Sequence, residues 1–464
     1  MSAAVAWIAA ATTALHVVTA NVWDFHRDEF YYLACGRRLA WGYVDHPPVT
    51  PFLYRVADVT VGPSELGLRI VPAVLHGVTV LLVALLAREL GGSTRAQVLA
   101  ALAAALAPLL LTTGHFLGTV SVELTVGAGL ALVLVKLVNG GDPRLWLLAG
   151  ALAGLGMLNK WTFAFGIAGL AAGLLLGNRD ALATPWLAAG IAVALACWAP
   201  NLWWQAQHGW PQLEFAGTLR DYGQAPLVIV GQLVLLGAGL ALAVPGVRWL
   251  ATSSAGHPYR FLLVAVVVAI VATLATGGKP YYTAAVLPAL LAAGAVALDG
   301  SRGWVLPVVL VGVGVLLAPL AMPLTPVSTA SKLRAVNPEL GEMVGWREYV
   351  ATVADLHRRH PDAGIVTANY SEAGALELLA PGLPQPASGH NSYWDWGRPA
   401  DDPGEVLAVG IDAALLHRSF AHVEQVATIH SPHGVHNLED GRPIYLAREP
   451  RAPWSELWPR FRRV

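Results

Sequence analysis

Apolar runs recur along this chain as far as about residue 322, and a helix of about 20 such residues spans a hydrocarbon core of roughly 30 Å. About eleven stretches meet or approach that length: 3–21, 68–88, 97–114, 121–138, 145–159, 162–177, 185–200, 226–244, 261–276, 282–298 and 303–322. A bilayer offers no water to unpaired backbone groups, so the stretches must be helical. The predicted fold class is therefore mainly α, a polytopic transmembrane bundle over residues 1–322. Several spans are rich in Gly and Ala, which suits close helix packing. Only 13% of residues are charged, against about 25% in soluble proteins. Lys and Arg (29) nearly balance Asp and Glu (30), so no overall field favours nucleic acid and no such partner is expected. The two cysteines, Cys35 and Cys197, suggest neither a disulfide framework nor a thiolate metal cage. No Lys or Arg precedes the first run, which is read as a retained span rather than a signal peptide.

Alternate crossings sort the loops onto two sides. One side collects short connectors bearing Arg88, Arg95, Lys136, Arg144, Arg179, Arg248, Arg260 and Arg302, a basic excess that fits the cytoplasmic side. The other collects the first polar loop, 22–67, the turns around His115, Lys160 and Lys279, and everything after Met322. That side is expected to be extracytoplasmic. Pro323, Pro326 and Ser328 read as a linker into a small α/β domain, 323–464. Within it an amphipathic helix is expected over 343–360, a strand over 364–368, a helix over 372–379, and further strands over 413–417 and 444–448.

The chemistry-bearing residues lie mostly on the second side. Asp28 and Glu29 are neighbours, so on a helix they point about 100° apart; one can face a cleft while the other holds the scaffold. A carboxylate in such a cleft can take a proton from an attacking hydroxyl, although acidic residues also simply favour a helix start. Downstream, Asp45-His46-Pro47-Pro48 makes a rigid turn. Its His and Asp can bind a phosphate oxygen or one metal ion; alternatively it is a plain Pro-Pro loop. His115 and Glu123 sit at the ends of consecutive spans, where ionisable groups are costly, or are ordinary interfacial residues. Lys160 and Lys279 can snorkel to the interface. Lys279, flanked by Gly277, Gly278, Pro280, Tyr281 and Tyr282, reads better as an anion site, because the glycines let backbone approach a ligand. The loop 201–211, with Trp203, Trp204, His208 and Trp210, suits an interface belt or a stacking surface for sugar or isoprenoid. Asn369, Tyr370 and Glu372, and likewise His390 and Asn391, are candidates for acceptor binding or for helix capping and loop packing.

These elements in this order resemble the lipid-linked-sugar-dependent glycosyltransferases of the GT-C fold. The likeness is greatest to glycosyltransferase family 39, the bacterial branch related to protein O-mannosyltransferases and the aminoarabinose transferase of lipid A. It rests on Asp28-Glu29 with Tyr31-Tyr32, on Asp45-His46-Pro47-Pro48, and on Gly114-His115, Leu158-Asn159-Lys160, Gln207-His208-Gly209-Trp210-Pro211, Gly278-Lys279-Pro280-Tyr281-Tyr282, Asn369-Tyr370, Glu372-Ala373 and Gly389-His390-Asn391-Ser392-Tyr393-Trp394. Val49 stands where the family's His-Pro-Pro run continues with Leu, Glu123 where an aspartate is common, and Asp45-His46 where the aminoarabinose transferase has Glu-Lys.

The resemblance implies a hexosyl- or pentosyltransferase of the bacterial cytoplasmic membrane. It would move a sugar from a polyprenyl-phosphate donor, with inversion, to a hydroxyl of an envelope acceptor on the outer face. Asp28 maps onto the essential aspartate, with Glu29 as its partner. His46, Lys160, Lys279, Tyr281 and Tyr282 are expected at the donor phosphate. His115, Glu123, His208, Asn369, Tyr370, Glu372, His390 and Asn391 are expected at the substrates. Asp45 is the candidate ligand for a divalent metal ion, the one cofactor in view. A carrier or flippase of a lipid-linked or anionic substrate is the rival reading, and it predicts ionisable residues through the midplane and on both faces. A non-catalytic receptor is a third.

Overall fold

The computed structural model describes residues 2–218, 226–301, 303–401 and 404–464. Among these, six helices are long and apolar enough to cross a membrane: Glu65–Glu89, Thr119–Val138, Pro185–Gln207, Leu227–Thr252, His257–Ala275 and Pro280–Ala297. Thr94–Leu106 and Pro108–His115 form a broken span bent by 59°. The bend falls at Pro108, which has no N–H to donate and clashes with the preceding turn. Shorter apolar helices at Ala3–Thr19, Leu145–Met157, Phe163–Gly177 and Val305–Ala321 lie where the sequence places its other apolar stretches. The chain is a mainly helical, multi-pass membrane protein.

Burial separates the centre of the bundle from its rim. Thr119–Val138 is 89% buried within the protein and Pro185–Gln207 only 11%, so the first is core and the second turns its apolar side chains toward lipid. Small residues set the helix spacing: a Cβ at Gly150 would overlap the Gly190 carbonyl of the next helix, a contact that only glycine permits. At one end of the bundle the short connectors bind one another. Ser93 N–H and Oγ donate to Asp299, at 2.8 and 2.6 Å, and Tyr259 Oη donates to Asn139 Oδ1 at 2.8 Å. The first polar loop, the turns at Phe116 and Lys279 and the C-terminal region come together, for Asp28, Phe116, Lys279 and Glu339 share one cavity.

The first polar loop is itself structured, with helices at Arg27–Arg37 and Val49–Thr60. The C-terminal region holds a five-stranded mixed sheet: β1 (Gly364–Thr367), β2 (Ala387–Ser388), β3 (Glu405–Val409), β4 (Phe420–Thr428) and β5 (Pro443–Pro450), in the order β2-β1-β3-β5-β4. β1 runs parallel to β2 and β3, while β5 is antiparallel to β3 and β4. The strand expected over 413–417 is instead the helix Ala413–Ser419, whose start is fixed by Asp412 Oδ1 accepting from the Leu415 N–H at 3.0 Å. The apolar run there is too short to distinguish helix from strand by periodicity.

The C-terminal region packs directly on the Arg27–Arg37 helix. Phe30 meets Trp346 edge to face, with ring centroids 5.1 Å apart, and Arg38 grips Glu377 with both guanidinium nitrogens, at 2.9 and 3.1 Å. Gly374 lies flat on Phe30: an added Cβ would stand 2.8 Å from the Phe30 Cβ and 3.0 Å from its carbonyl. Gly374→Ala is therefore expected to lower stability by about 1–3 kcal/mol through overpacking, read as a lower unfolding temperature in detergent. An unchanged temperature would show that the two helices can part freely.

Candidate active site

The helix that carries Asp28 begins with a reciprocal cap. His26 Nδ1 accepts from the Asp28 N–H at 3.2 Å, and Glu29 Oε2 accepts from the His26 N–H at 2.7 Å, so two otherwise unpaired donors of the first turn are satisfied. This fixes which way the neighbouring carboxylates point. Asp28 turns outward, its side chain 35% exposed, and Oδ1 accepts from Tyr370 Oη at 3.1 Å. Burial, then the Asp28 carboxylate, pushes the Tyr370 hydroxyl well above the usual tyrosine range, which keeps it a proton donor. Glu29 turns inward and is fully buried, paired with Arg69 at 2.7 Å (Nη2 to Oε2) and 3.2 Å (Nε to Oε1).

Asp28 lines a cavity of about 530 Å³ together with Tyr32, Phe116, Lys279, Tyr281 and Glu339. Most of the rest of its wall is apolar and includes Leu109, Leu233, Val234 and Leu317, with Thr112, Thr113 and Thr119 among the polar residues. Leu233 and Val234 are more than half exposed, so the lining is continuous with the lipid-facing surface of the bundle. The cavity thus joins a carboxylate and an ammonium at its polar part to a hydrocarbon wall. A ligand with a charged head and a long apolar tail matches that division.

Of the residues expected at the donor phosphate, Lys279 and Tyr281 reach this cavity. Lys160 pairs with Glu123 at 3.4 Å, and its ammonium lies over the rings of Tyr281 and Tyr282, 4.8 and 4.3 Å from their centroids. It stands behind Tyr281 rather than on the wall, and so do Glu123 and Tyr282. His46 is buried under Tyr32, at 4.9 Å between rings, with Nδ1 3.0 Å from its own chain's Pro47 carbonyl. Its aromatic neighbours keep it away from any phosphate in the cavity. Asp45 Oδ1 is taken by Tyr31 Oη at 2.7 Å, and among the described residues no three His, Cys, Asp or Glu side chains converge as a metal-binding group. Asp45 does not belong to a ligand set here.

The same packing corrects several substrate assignments. Glu29 is occupied by Arg69 and by the helix cap, so it supports Asp28 instead of sharing its cleft. Asn369 caps the Tyr370–Leu379 helix, with Oδ1 accepting from the N–H groups of Ser371 and Glu372 at 2.9 and 3.0 Å. Glu372 completes that capping box at 3.0 Å; burial, then the neighbouring Glu439 carboxylate, raises its pKa well above the carboxylate range. His390 stacks on Tyr370 at 4.7 Å, and burial, then Arg463, lowers it to about 3, so it is a neutral support for that ring. His115 is buried between spans, 6.2 Å from His16 ring to ring, while the adjacent Phe116 is on the wall. His208 and Asn391 line a separate cavity of about 130 Å³ with Asp395 and Arg462.

Glu339 carries no signal of its own in the sequence. It sits in Asn337-Pro338-Glu339, which reads as an ordinary capped turn in a linker, and only the folded chain brings it to the cavity that Asp28 lines. Tyr32 belongs to the Tyr31-Tyr32 motif, where it has no assigned role, and it lines the cavity.

A family model described as dolichyl-phosphate-mannose-protein mannosyltransferase matches residues 45–204. Among solved structures, ArnT from Cupriavidus metallidurans, bound to undecaprenyl phosphate, is 15% identical with a TM-score of 0.66, covering 95% of this chain and 97% of its own. The same protein in the apo state gives 16% and 0.65, covering 96% and 98%. The arabinofuranosyltransferase AftD from Mycobacteria is 16% identical with a TM-score of 0.52, covering 96% of this chain and 40% of that one. No curated protein sequence matches. Fold and family model together uphold the resemblance read from the motifs: the chain has the GT-C fold.

Proposed function

We propose that this GT-C-fold membrane protein is a glycosyltransferase that takes a sugar from a polyprenyl phosphate and passes it to a hydroxyl acceptor at the outer face of the membrane. The observation that carries this reading is the cavity that Asp28 and Lys279 both line, with an apolar wall continuous with the lipid-facing surface. Support also comes from the family model over 45–204, from the undecaprenyl phosphate held by ArnT, and from the basic connectors, an excess expected on a cytoplasmic face.

The polyprenyl tail would lie along Leu233, Val234 and Leu317, with its phosphate toward Lys279. The acceptor oxygen attacks the anomeric carbon opposite the phosphate. The carbon–oxygen bond to phosphate breaks, and its electron pair leaves with the polyprenyl phosphate. Asp28 takes the acceptor's proton, and the single displacement inverts the anomeric centre. Lys279 offsets the charge that grows on the departing phosphate, an effect strongest in a water-poor site.

The test is transfer by the purified chain in liposomes, from labelled undecaprenyl-phosphate sugars to envelope extracts. Labelled glycan together with free undecaprenyl phosphate is the expected result. Movement of intact lipid-linked sugar across the bilayer without bond cleavage would favour the carrier instead. Lys279→Gln is expected to weaken binding of undecaprenyl phosphate by about 10- to 100-fold, the effect of losing one charge-assisted contact. Unchanged binding would move the phosphate elsewhere.

A further inference from the structure

The cavity contains a second carboxylate with its own support. Asn337 Nδ2 donates to the Leu320 carbonyl at 3.0 Å, and Asn337 Oδ1 accepts from the Glu339 N–H at 3.3 Å. With Pro338 between them, the turn is rigid and tied to the end of the Val305–Ala321 helix. Glu339 Oε2 lies 3.0 Å from His26 Nε2. His26 Nδ1 already accepts from the Asp28 N–H, so the ring carries its proton on Nε2 and donates it to Glu339. His26 is fully buried and stacked on Phe116 at 4.1 Å; it holds the Glu339 carboxylate while bracing the backbone of Asp28. The Glu339 side chain nevertheless remains 54% exposed.

A half-exposed carboxylate that a buried imidazole aims into a cavity is poorly explained as scaffolding. With Asp28 it places two acceptors of hydrogen bonds on one side of the site. Two carboxylates repel a phosphate and leave it to Lys279, whereas a group rich in hydroxyl donors would be held by them, since a carboxylate accepts several O–H groups. We propose that Glu339, positioned by His26, is a specificity-determining residue that accepts hydrogen bonds from hydroxyls of the sugar carried by the polyprenyl phosphate, an assignment that rests on the transferase reading above.

The experiment measures binding of four probes to the purified full chain in nanodiscs: undecaprenyl phosphate and its mannosyl, glucosyl and arabinofuranosyl derivatives. The wild type is expected to bind at least one glycosylated probe more tightly than the bare lipid phosphate. Glu339→Ala should weaken that probe by about 10- to 100-fold and leave the bare phosphate within about twofold. Glu339→Gln, which keeps an acceptor for His26 Nε2, should lose less and unfold near the wild-type temperature, whereas Glu339→Ala, which leaves that buried donor without its acceptor, should unfold somewhat lower yet remain folded at the assay temperature. A loss in Glu339→Gln as large as in Glu339→Ala would show that an oxygen acceptor at this position is not what the sugar reads and would overturn the hydroxyl assignment. Equal weakening of bare and glycosylated probes, a retained preference in Glu339→Ala, or a wild type that binds all four probes alike would overturn it too. If the wild type binds none of them, the transferase reading itself fails, and this assignment falls with it.

Discussion

Replacing Asp28 with Asn is expected to reduce sugar transfer by about a thousandfold, within the range for loss of a positioned general base, while binding of undecaprenyl phosphate and the unfolding temperature stay near wild type. The substitution conserves shape. The introduced amide retains a side-chain oxygen for Tyr370 Oη, and the backbone N–H that His26 accepts is unaffected. What it removes is the cavity carboxylate that lies outside both the Arg69 pair of Glu29 and the His26 contact of Glu339. Glu339 is no substitute base, because His26 holds one of its oxygens and it enters on a different turn. The measurement is a single-turnover assay with a labelled lipid-linked sugar, beside a binding isotherm for the bare lipid phosphate. A variant that transfers at more than a tenth of the wild-type rate would exclude Asp28 as the base. A variant that loses transfer and lipid binding together would make Asp28 part of the binding surface instead.

The bundle was legible because it follows from solvent physics: long apolar runs have one stable form in a bilayer, and their count fixes the side of each loop. Asp28 was legible because polar residues beside a span are costly enough to need a reason. What the sequence could not supply was direction. Asp28 and Glu29 look equivalent on paper, and the choice between cleft and scaffold is made by the capping box at His26 and by Arg69, forty positions away. His46 and Lys279 appear equally fit for a phosphate, yet the rings of Tyr31, Tyr32 and Tyr43 enclose the first and the second reaches the cavity. Glu339 carries no local signal at all. Its neighbours in sequence make a common turn, and its partner His26 lies more than three hundred residues earlier. Asn369 and Glu372 illustrate the converse. The spacing that marks a capping box is what folds there, and it leaves Tyr370 as the residue of that segment that touches Asp28.

The Glu29–Arg69 pair is expected to be the most stability-sensitive contact near the site. Both side chains have no exposure, and the guanidinium also donates to the Asp24 carbonyl at 2.7 Å and the Trp23 carbonyl at 3.4 Å. It therefore ties the exit of the first span, the start of the Asp28 helix and the Glu65–Glu89 span into one unit. Arg69→Met leaves Glu29 as an uncompensated buried carboxylate, which costs about 3–5 kcal/mol. The double variant Glu29→Leu with Arg69→Met should recover part of that loss, because two apolar groups need no partners, although the carbonyls of Trp23 and Asp24 remain unpaired. Thermal unfolding in detergent, run as a double-mutant cycle, gives both numbers. Activity should fall with stability in the single variant, whereas Asp28→Asn is inactive yet folded. A Glu29→Gln protein that unfolds at the wild-type temperature but transfers no sugar would reverse the assignment and return Glu29 to the chemistry, because a residue that only holds Arg69 and caps its own helix cannot lose catalysis without loosening the helix that carries Asp28.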